Sequence, residues 1–232
     1  MCISSFNTSR SNLVSLIILG GFISYDTVNA GNLKQRHIYF VIEFSPVESS
    51  QLLEVLRPCL TKEQELEEGV LAAVLVIIHF HDGRPYILLT KRSGKLKNHA
   101  GEVSCPGGTH SASDKDLMQT AIRETREEIG LKISKDDIIG TLRGVHTLTS
   151  NFTILPFIAI VDKIENLRPD SKEIDEVIDT PLLDLLKTIQ PDTEHASFGV
   201  VYKFEYKGRI VWGATARILK QIYDILHQCG MI

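Results

Sequence analysis

Three glutamates lie close together in the segment RETREEIGL, which runs from Arg123 to Leu131. If this segment is helical, Glu124, Glu127 and Glu128 project within one arc of about 100°. Carboxylates this close repel one another unless a cation neutralises them, and hard oxygen ligands suit Mg²⁺ or Mn²⁺ rather than zinc. The spacing therefore indicates a divalent metal site, in which Arg123 pairs with one carboxylate and fixes its orientation.

Taken alone, such a charge run is typical of a solvated helix face on which arginines balance the glutamates. Two neighbouring features favour the metal site. Pro106-Gly107-Gly108 predicts a tight turn at which backbone groups can approach a ligand. A basic loop precedes this turn and could hold phosphate groups, although composition alone fits a solvated loop equally well. Its basic side chains are Lys91, Arg92, Lys95, Lys97 and His99.

The elements that would position these residues are predicted from periodicity and turn signals. The apolar run 70–80 is typical of a strand buried on both faces, and 86–92 predicts its hairpin partner. Asp114 is the predicted N-cap of a helix that continues to Ile129 and stops at Gly130. Other predicted elements are a strand at 37–44, a helix at 49–60, strands at 138–148 and 152–162, a short helix at 180–189, a hairpin at 199–212 and a helix at 213–226. This order predicts an α/β sandwich with a mixed sheet.

Composition argues against a disordered or fibrous protein, and net charge argues against a general basic surface for nucleic acid. The chain has 232 residues, of which 43% are hydrophobic and 23% charged, as in a globular protein with a sizeable core. Its formal net charge of −4 provides no global basic field for nucleic acid, so a polyanion would need a local basic patch or a bound cation. The four cysteines are scattered without a C-x-x-C pair, which predicts reduced thiols in an intracellular protein.

Residues 1–35 are predicted to be an N-terminal extension, 36–69 a lead-in strand and helix, and 70–228 the main domain. The apolar run 13–23 is too short to cross a bilayer, which takes about 20 residues, so no membrane span is expected. It is either the core of a signal peptide, with a cleavage site near Ala30, or a buried or variable segment outside the main fold.

The segment from Gly108 to Leu131 resembles the signature of the Nudix hydrolases, G-x5-E-x7-R-E-U-x-E-E-x-G-U, where U is apolar. The matching residues are Gly108, Arg123, Glu124, Glu127, Glu128, Gly130 and Leu131. Two positions depart from the signature. Asp114 stands where a glutamate is usual, with one extra residue before the arginine, and Thr125 occupies an apolar position.

The longer run 88–131 is similar to the coenzyme A diphosphatases of that family, whose pattern is close to L-L-T-x-R-S-x-x-L-x-x-H-x-G-x-V-x-F-P-G-G, with one extra residue in the signature. The matching residues are Leu89, Thr90, Arg92, Ser93, Leu96, His99, Gly101, Val103, Pro106, Gly107 and Gly108. Cys105 stands where phenylalanine is usual. The resemblance covers roughly residues 70–226 and implies a Nudix-type α/β/α sandwich with a mixed central β-sheet.

This resemblance implies hydrolysis of the diphosphate bond of coenzyme A and its acyl derivatives, dependent on Mg²⁺ or Mn²⁺, giving 3′,5′-ADP and 4′-phosphopantetheine. The implied metal ligands are Glu124, Glu127, Glu128 and the carbonyl of Gly108, and Arg123 completes the catalytic set. The implied substrate-binding residues are Lys91, Arg92, Lys97, His99, Gly107 and Gly108. The general base stays open between a glutamate of the signature and three others, Glu102, Glu173 and Glu176.

Two alternative functions stay open from the sequence. One is a diphosphatase of the same family acting on another nucleoside diphosphate conjugate, such as ADP-ribose or NADH. The other is a catalytically silent binding module with the Nudix fold. The expected partner is a small-molecule substrate, without nucleic acid or membrane, in a monomer or a homodimer. The expected location is intracellular: the family resemblance points to a peroxisome or mitochondrion, and the cytoplasm stays open.

Overall fold

The computed structural model describes residues 4–5, 15–16, 49–61, 69–147, 151–194 and 201–232. The chain divides into two compact units, Met1–Pro46 and Val47–Ile232. In the first unit, Ser4–Ser5 (β1) and Ser15–Leu16 (β2) pair as antiparallel strands. The strand predicted at 37–44 lies outside the described residues.

The second unit contains the remaining elements. Its strands are β3 (Val70–His81), β4 (Arg84–Arg92), β5 (Val103–Ser104), β6 (Gly107–Thr109), β7 (Ile138–Thr141), β8 (Val145–His146), β9 (Phe152–Val161), β10 (Ile174–Pro181), β11 (Gln190–Pro191), β12 (Tyr202–Tyr206) and β13 (Arg209–Val211). Its α-helices are α1 (Ser49–Leu56), α2 (Leu117–Ile129), α3 (Leu182–Leu186) and α4 (Gly213–Gln228), and the turns Arg57–Cys59 and Lys135–Asp137 are 3₁₀ helices. Among the described residues, no helix is long and apolar enough to cross a membrane.

The central sheet is mixed, as the sequence predicted. Its main strand order is β10-β4-β3-β9-β7, with β3 and β9 parallel and the other neighbours antiparallel. Strands β3 and β4 pair only over 77–81 and 84–88. Beyond that stretch β6 pairs with β3 and β5 pairs with β4, so the glycine pair of β6 lies where the two long strands separate.

Helices cover both faces of this sheet, which confirms the predicted sandwich. Leu75 and Ile77 of β3 belong to the apolar cluster that includes Ala121 of α2. Their neighbour Val76 belongs to a second cluster, which includes Leu52 of α1 and residues of α3 and α4. Successive side chains of a strand point to opposite faces, so the apolar run of β3 serves both layers.

Helix α2 begins later than predicted, and the prediction of Asp114 as its N-cap is wrong. The cap is Asp116, whose side chain accepts a hydrogen bond from the N–H of Gln119 at 2.7 Å. The predicted stop is confirmed, because Gly130 adopts the left-handed conformation with φ 72°. Asp114 instead accepts hydrogen bonds from Arg123 of this helix.

The C-terminal elements follow their sequence signals closely. The β12–β13 hairpin turns at Lys207 and Gly208, both with positive φ, as a two-residue turn of this kind requires. Helix α3 is shorter than predicted, and Pro181 is its capping residue rather than part of its first turn. Among the described residues, Cys59, Cys105 and Cys229 are free thiols, and burial raises the pKa of Cys105 to about 12.

Candidate active site

Glu128 is buried where α2 packs against the glycine pair of β6. Its side chain is 5% exposed, and its Oε2 accepts a hydrogen bond from the N–H of Gly107 at 3.1 Å. Arg92 Nη1 is 3.7 Å from Glu128 Oε1. Burial raises the pKa of Glu128 to about 7, against the opposing effects of the Gly107 hydrogen bond and the Arg92 charge. This carboxylate is therefore poorly compensated by its protein surroundings.

Glu124 lies against the second glycine of the pair. A Cβ atom at Gly108 would come within 2.6 Å of the Glu124 carboxylate, so a larger residue there would displace this carboxylate from its position. The charge of Glu124 contributes to the raised pKa of Glu128. The two carboxylates, one helical turn apart, thus lie next to the same two glycines.

Arg123 connects α2 to the loop before it. Its Nε and Nη2 donate to the Asp114 carboxylate at 2.9 and 2.8 Å, and its Nη1 donates to Glu124 at 2.7 Å and to Glu127 at 2.9 Å. Hydrogen bonding to Arg123 holds the pKa of Asp114 well below its usual range. Arg123 therefore links the carboxylates of Asp114, Glu124 and Glu127, and the expectation that it fixes the orientation of one of them stays a prediction.

Asp114 is the residue whose role the sequence analysis missed. It is buried, and it also accepts hydrogen bonds from the N–H of Ser111 at 3.1 Å and the hydroxyl of Thr120 at 3.0 Å. The available signal was its place in the signature, where an acidic residue is usual. A carboxylate there can hold the arginine even though the helix has not yet begun.

Glu127 differs from the other two glutamates, since its side chain is 61% exposed. Within the part of the chain that the structure describes, no group of three or more His, Cys, Asp or Glu side chains is arranged to hold a metal ion. The structure thus brings Glu124 and Glu128 to the glycine pair and leaves the side chain of Glu127 largely exposed to solvent. A direct metal bond to Glu127 stays a prediction.

The chemistry of this cluster suits a hard divalent cation. A buried carboxylate costs several kcal/mol unless an opposite charge compensates it, and Arg92 approaches Glu128 only to 3.7 Å. A cation between Glu124 and Glu128 would supply the missing charge. The donors are oxygen atoms, the ligands that Mg²⁺ and Mn²⁺ prefer.

The predicted substrate-binding residues separate into three groups. Arg92 and Gly107 contact the buried carboxylate of Glu128, Gly108 lies against Glu124, and the Arg92 Nε is buried without a hydrogen-bond partner among the described residues. Lys97 and His99 lie in the exposed loop, where His99 Nδ1 is 3.0 Å from Glu102 Oε2. Lys91 lines a cavity on the other side of β4.

The three candidates for a general base outside the signature differ in their surroundings. Glu102 is paired with His99, and Glu176 with Arg209. Glu173 lies in an exposed turn whose backbone docks beside the site: its carbonyl accepts from the N–H of Ser93 at 2.7 Å.

The same turn is tied to α2, because the N–H of Asp170 donates to the carbonyl of Glu128 at 2.9 Å. The charge of Glu173 also contributes to the raised pKa of Glu128. Among the three candidates, Glu173 is the one whose charge acts on the pKa of Glu128.

Comparisons with known proteins agree with this geometry. The family model described as the NUDIX domain matches residues 70–202. The chain is 38% identical over 163 residues to the mitochondrial coenzyme A diphosphatase NUDT8 of Homo sapiens, covering 67% of this chain and 69% of that protein. It is 35% identical over 183 residues to the mitochondrial Nudix hydrolase 15 of Arabidopsis thaliana, covering 73% and 63%.

A solved structure shows the same fold. The MutT/nudix family protein from Enterococcus faecalis aligns with a TM-score of 0.52 at 14% identity, covering 78% of this chain and 70% of that one. The family generally uses divalent metals, in keeping with the oxygen donors of Glu124 and Glu128. From the matched domain and the relatives of moderate identity, the chain belongs to the Nudix hydrolase family.

Proposed function

We propose that this Nudix hydrolase cleaves the diphosphate bond of coenzyme A and its acyl derivatives, giving 3′,5′-ADP and 4′-phosphopantetheine. The observation that carries this proposal is the similarity to mitochondrial coenzyme A diphosphatases over two thirds of the chain. The position of Arg92 supports it, because this residue of the upstream pattern lies beside the catalytic carboxylate Glu128. A substrate recognised by the upstream segment would thereby have its diphosphate next to the glutamates.

The roles of the acidic residues follow from their surroundings. Glu124 and Glu128 hold Mg²⁺ or Mn²⁺, and Glu127 and the Gly108 carbonyl complete the ligand set. The cation, when bound, supplies a Lewis acid that neutralises the diphosphate oxygens. Arg123 keeps Glu124 in place against Gly108, so that the carboxylate does not have to be ordered when substrate arrives.

Two further residues complete the proposed chemistry. Arg92, whose side chain is 28% exposed beside Glu128, donates hydrogen bonds to the diphosphate from its guanidinium group. Glu173 accepts a proton from the attacking water, because its turn docks directly on α2 and on the start of the basic loop. Lys97 and His99, in the exposed loop, add positive charge and hydrogen-bond donors for substrate phosphates.

The domain limits and the location are part of the proposal. The catalytic domain spans 70–228, and residues 1–35 form an extension. An intracellular site of action is supported by the relatives named as mitochondrial, which favours the mitochondrion over the peroxisome. Fractionation of cells producing the tagged chain tests the location, and recovery of the activity in the lysosomal or secreted fraction would contradict it.

The function is tested by a hydrolysis panel with purified protein and Mg²⁺ or Mn²⁺. The substrates are coenzyme A, 3′-dephospho-coenzyme A, ADP-ribose and NADH, with the phosphorus products separated by chromatography. Coenzyme A should give the highest kcat/KM, and Glu128→Gln should lose at least a hundredfold in kcat. Glu165→Gln, at an exposed site remote in sequence from the signature, is the matched control. A preference for ADP-ribose or NADH would overturn the substrate assignment.

The base assignment needs a separate measurement. Glu173→Gln should lower kcat about a hundredfold while leaving the affinity for Mn²⁺ close to that of the wild type, because a base assists the reaction without holding the cation. Loss of Mn²⁺ binding in this variant, or an unaltered kcat, would contradict the assignment.

A further inference from the structure

A cavity of about 290 Å³ opens between the β4–β5 edge and the β12–β13 hairpin. Its walls come from segments about 100 residues apart in the chain. The lining includes Lys91, Val103, Asp192, Lys203, Ile210 and Trp212. None of these except Lys91 belongs to the predicted site, and the catalytic proposal leaves the rest without a role.

The cavity and the carboxylate of Glu128 lie on opposite faces of the sheet near the C-terminal end of β4. Arg92 reaches Glu128, whereas its chain neighbour Lys91 points to the other face of β4 and lines the cavity. The burial pattern agrees, because Val103 on the cavity wall belongs to the apolar cluster of α1, α3 and α4. Both residues stand at the C-terminal end of β4, so a ligand that contacts both would have to go round this strand end.

Two lysines at the cavity are available to an anion. Within the described part of the chain, no carboxylate lies within ion-pair distance of Lys91. Lys203, with 18% of its side chain exposed, pairs at 3.2 Å with Glu194, whose side chain is 71% exposed. Such a pair contributes little, since water screens it, so a bound anion can replace Glu194. Arg209 is engaged by Glu176.

The rest of the lining suits an aromatic ring and its polar substituents. Trp212 offers an indole face for stacking, and Ile210 is an unusually exposed apolar side chain beside it. Asp192 is buried at the cavity wall, and its carboxylate accepts a hydrogen bond from the N–H of Glu194 at 3.1 Å. The volume lies at the lower end of ligand pockets, so the cavity accommodates one nucleotide-sized group rather than an entire dinucleotide.

We propose that this cavity binds the 3′-phosphorylated adenosine end of the substrate. Lys91 and Lys203 hold the 3′-phosphate, and Trp212 stacks on the purine. The 5′-diphosphate then passes the strand end at Arg92 and meets the carboxylates on the other face of the sheet. This inference rests on the proposed function and adds Lys203 and Trp212, which lie about 100 residues beyond the upstream pattern, to the recognition of the substrate.

Binding is tested separately from catalysis by fluorescence. Trp212 is the one tryptophan of the chain, so its emission reports on the cavity. The protein is titrated with 3′,5′-ADP and with 5′-AMP in the absence of metal. The wild type should bind 3′,5′-ADP at least about tenfold more tightly, the expected effect of hydrogen bonds to a charged group. Lys203→Gln should lose this preference, and Lys163→Gln, at an exposed position outside the cavity, should keep it.

Kinetics separate this inference from the proposed function. The ratio of kcat/KM for coenzyme A to that for 3′-dephospho-coenzyme A should fall about tenfold in Lys203→Gln, and also in Lys91→Gln. If the wild type does not hydrolyse coenzyme A, the proposed function fails, and the titration still tests the cavity.

If the wild type hydrolyses coenzyme A and both variants keep its preference for the 3′-phosphate, the cavity assignment is wrong and the function stands. Thermal unfolding of each variant establishes that it is folded. Fluorescence that does not respond to 3′,5′-ADP in the wild type would also overturn the assignment.

Discussion

Replacing Glu128 with glutamine should make the metal-free protein more stable near neutral pH and the enzyme far less active. Burial raises the pKa of Glu128 from 4.5 to about 7, which corresponds to about 3 kcal/mol at 1.36 kcal/mol per unit. Because the folded protein binds this proton more tightly than the unfolded chain, the contribution to stability is present below pH 4.5. It is lost as the pH rises through 7.

Glutamine keeps the acceptor for the Gly107 N–H and carries no charge. The free energy of unfolding of Glu128→Gln should therefore exceed that of the wild type by up to about 3 kcal/mol at pH 8 in a chelator. At pH 4 the difference should nearly vanish. Chemical denaturation at several pH values measures both. Glu127→Gln is the control on the same helix, since an exposed glutamate there should produce no such pH dependence.

The same ionisation governs metal binding. The cation needs the deprotonated carboxylate, so the affinity for Mn²⁺ should weaken up to tenfold per pH unit below 7 and be about 100-fold weaker at pH 5 than at pH 8. Calorimetric titration of the wild type with Mn²⁺ measures this. A constant affinity between pH 5 and 8, or a Glu128→Gln variant that is less stable than the wild type at pH 8 in chelator, would refute the reasoning.

Three further predictions follow from single contacts. Thr125→Val should raise the free energy of unfolding, measured by chemical denaturation, by about 1 kcal/mol. The reason is that the Thr125 hydroxyl is buried without a hydrogen-bond partner among the described residues. A lower free energy of unfolding would mean that this hydroxyl does have a partner. Gly108→Ala should lower kcat about a hundredfold, because the new Cβ would lie 2.6 Å from the Glu124 carboxylate and would displace it. Gly94→Ala is the control, since its Cβ would have its nearest neighbour at 3.9 Å, and it should keep wild-type kcat. Asp114→Asn should lower kcat at least tenfold by loosening Arg123, and unchanged steady-state kinetics would show that this ion pair does not position the site.

Local sequence signals predicted the elements that carry the site. The helix period brings Glu124 and Glu128 to one side of α2, and Gly130 ends the helix because it can adopt positive φ. The apolar run of β3 predicted a strand buried on both faces, and Lys207-Gly208 predicted a hairpin turn. Each of these features depends on interactions within a few residues, so it can be inferred without the rest of the chain.

Tertiary packing decided which charged residues are buried and which are paired. Glu127 and Glu128 are neighbours in the same charge run, yet one is 61% exposed and the other 5%, because β6 covers only one side of the helix. The sequence could not show that the turn of Glu173 docks on α2, nor that Lys91 and Lys203 line one cavity. Ion pairing, burial and the resulting pKa values depend on contacts between segments far apart in the chain, and those contacts exist only once the sheet and its two helical layers have assembled.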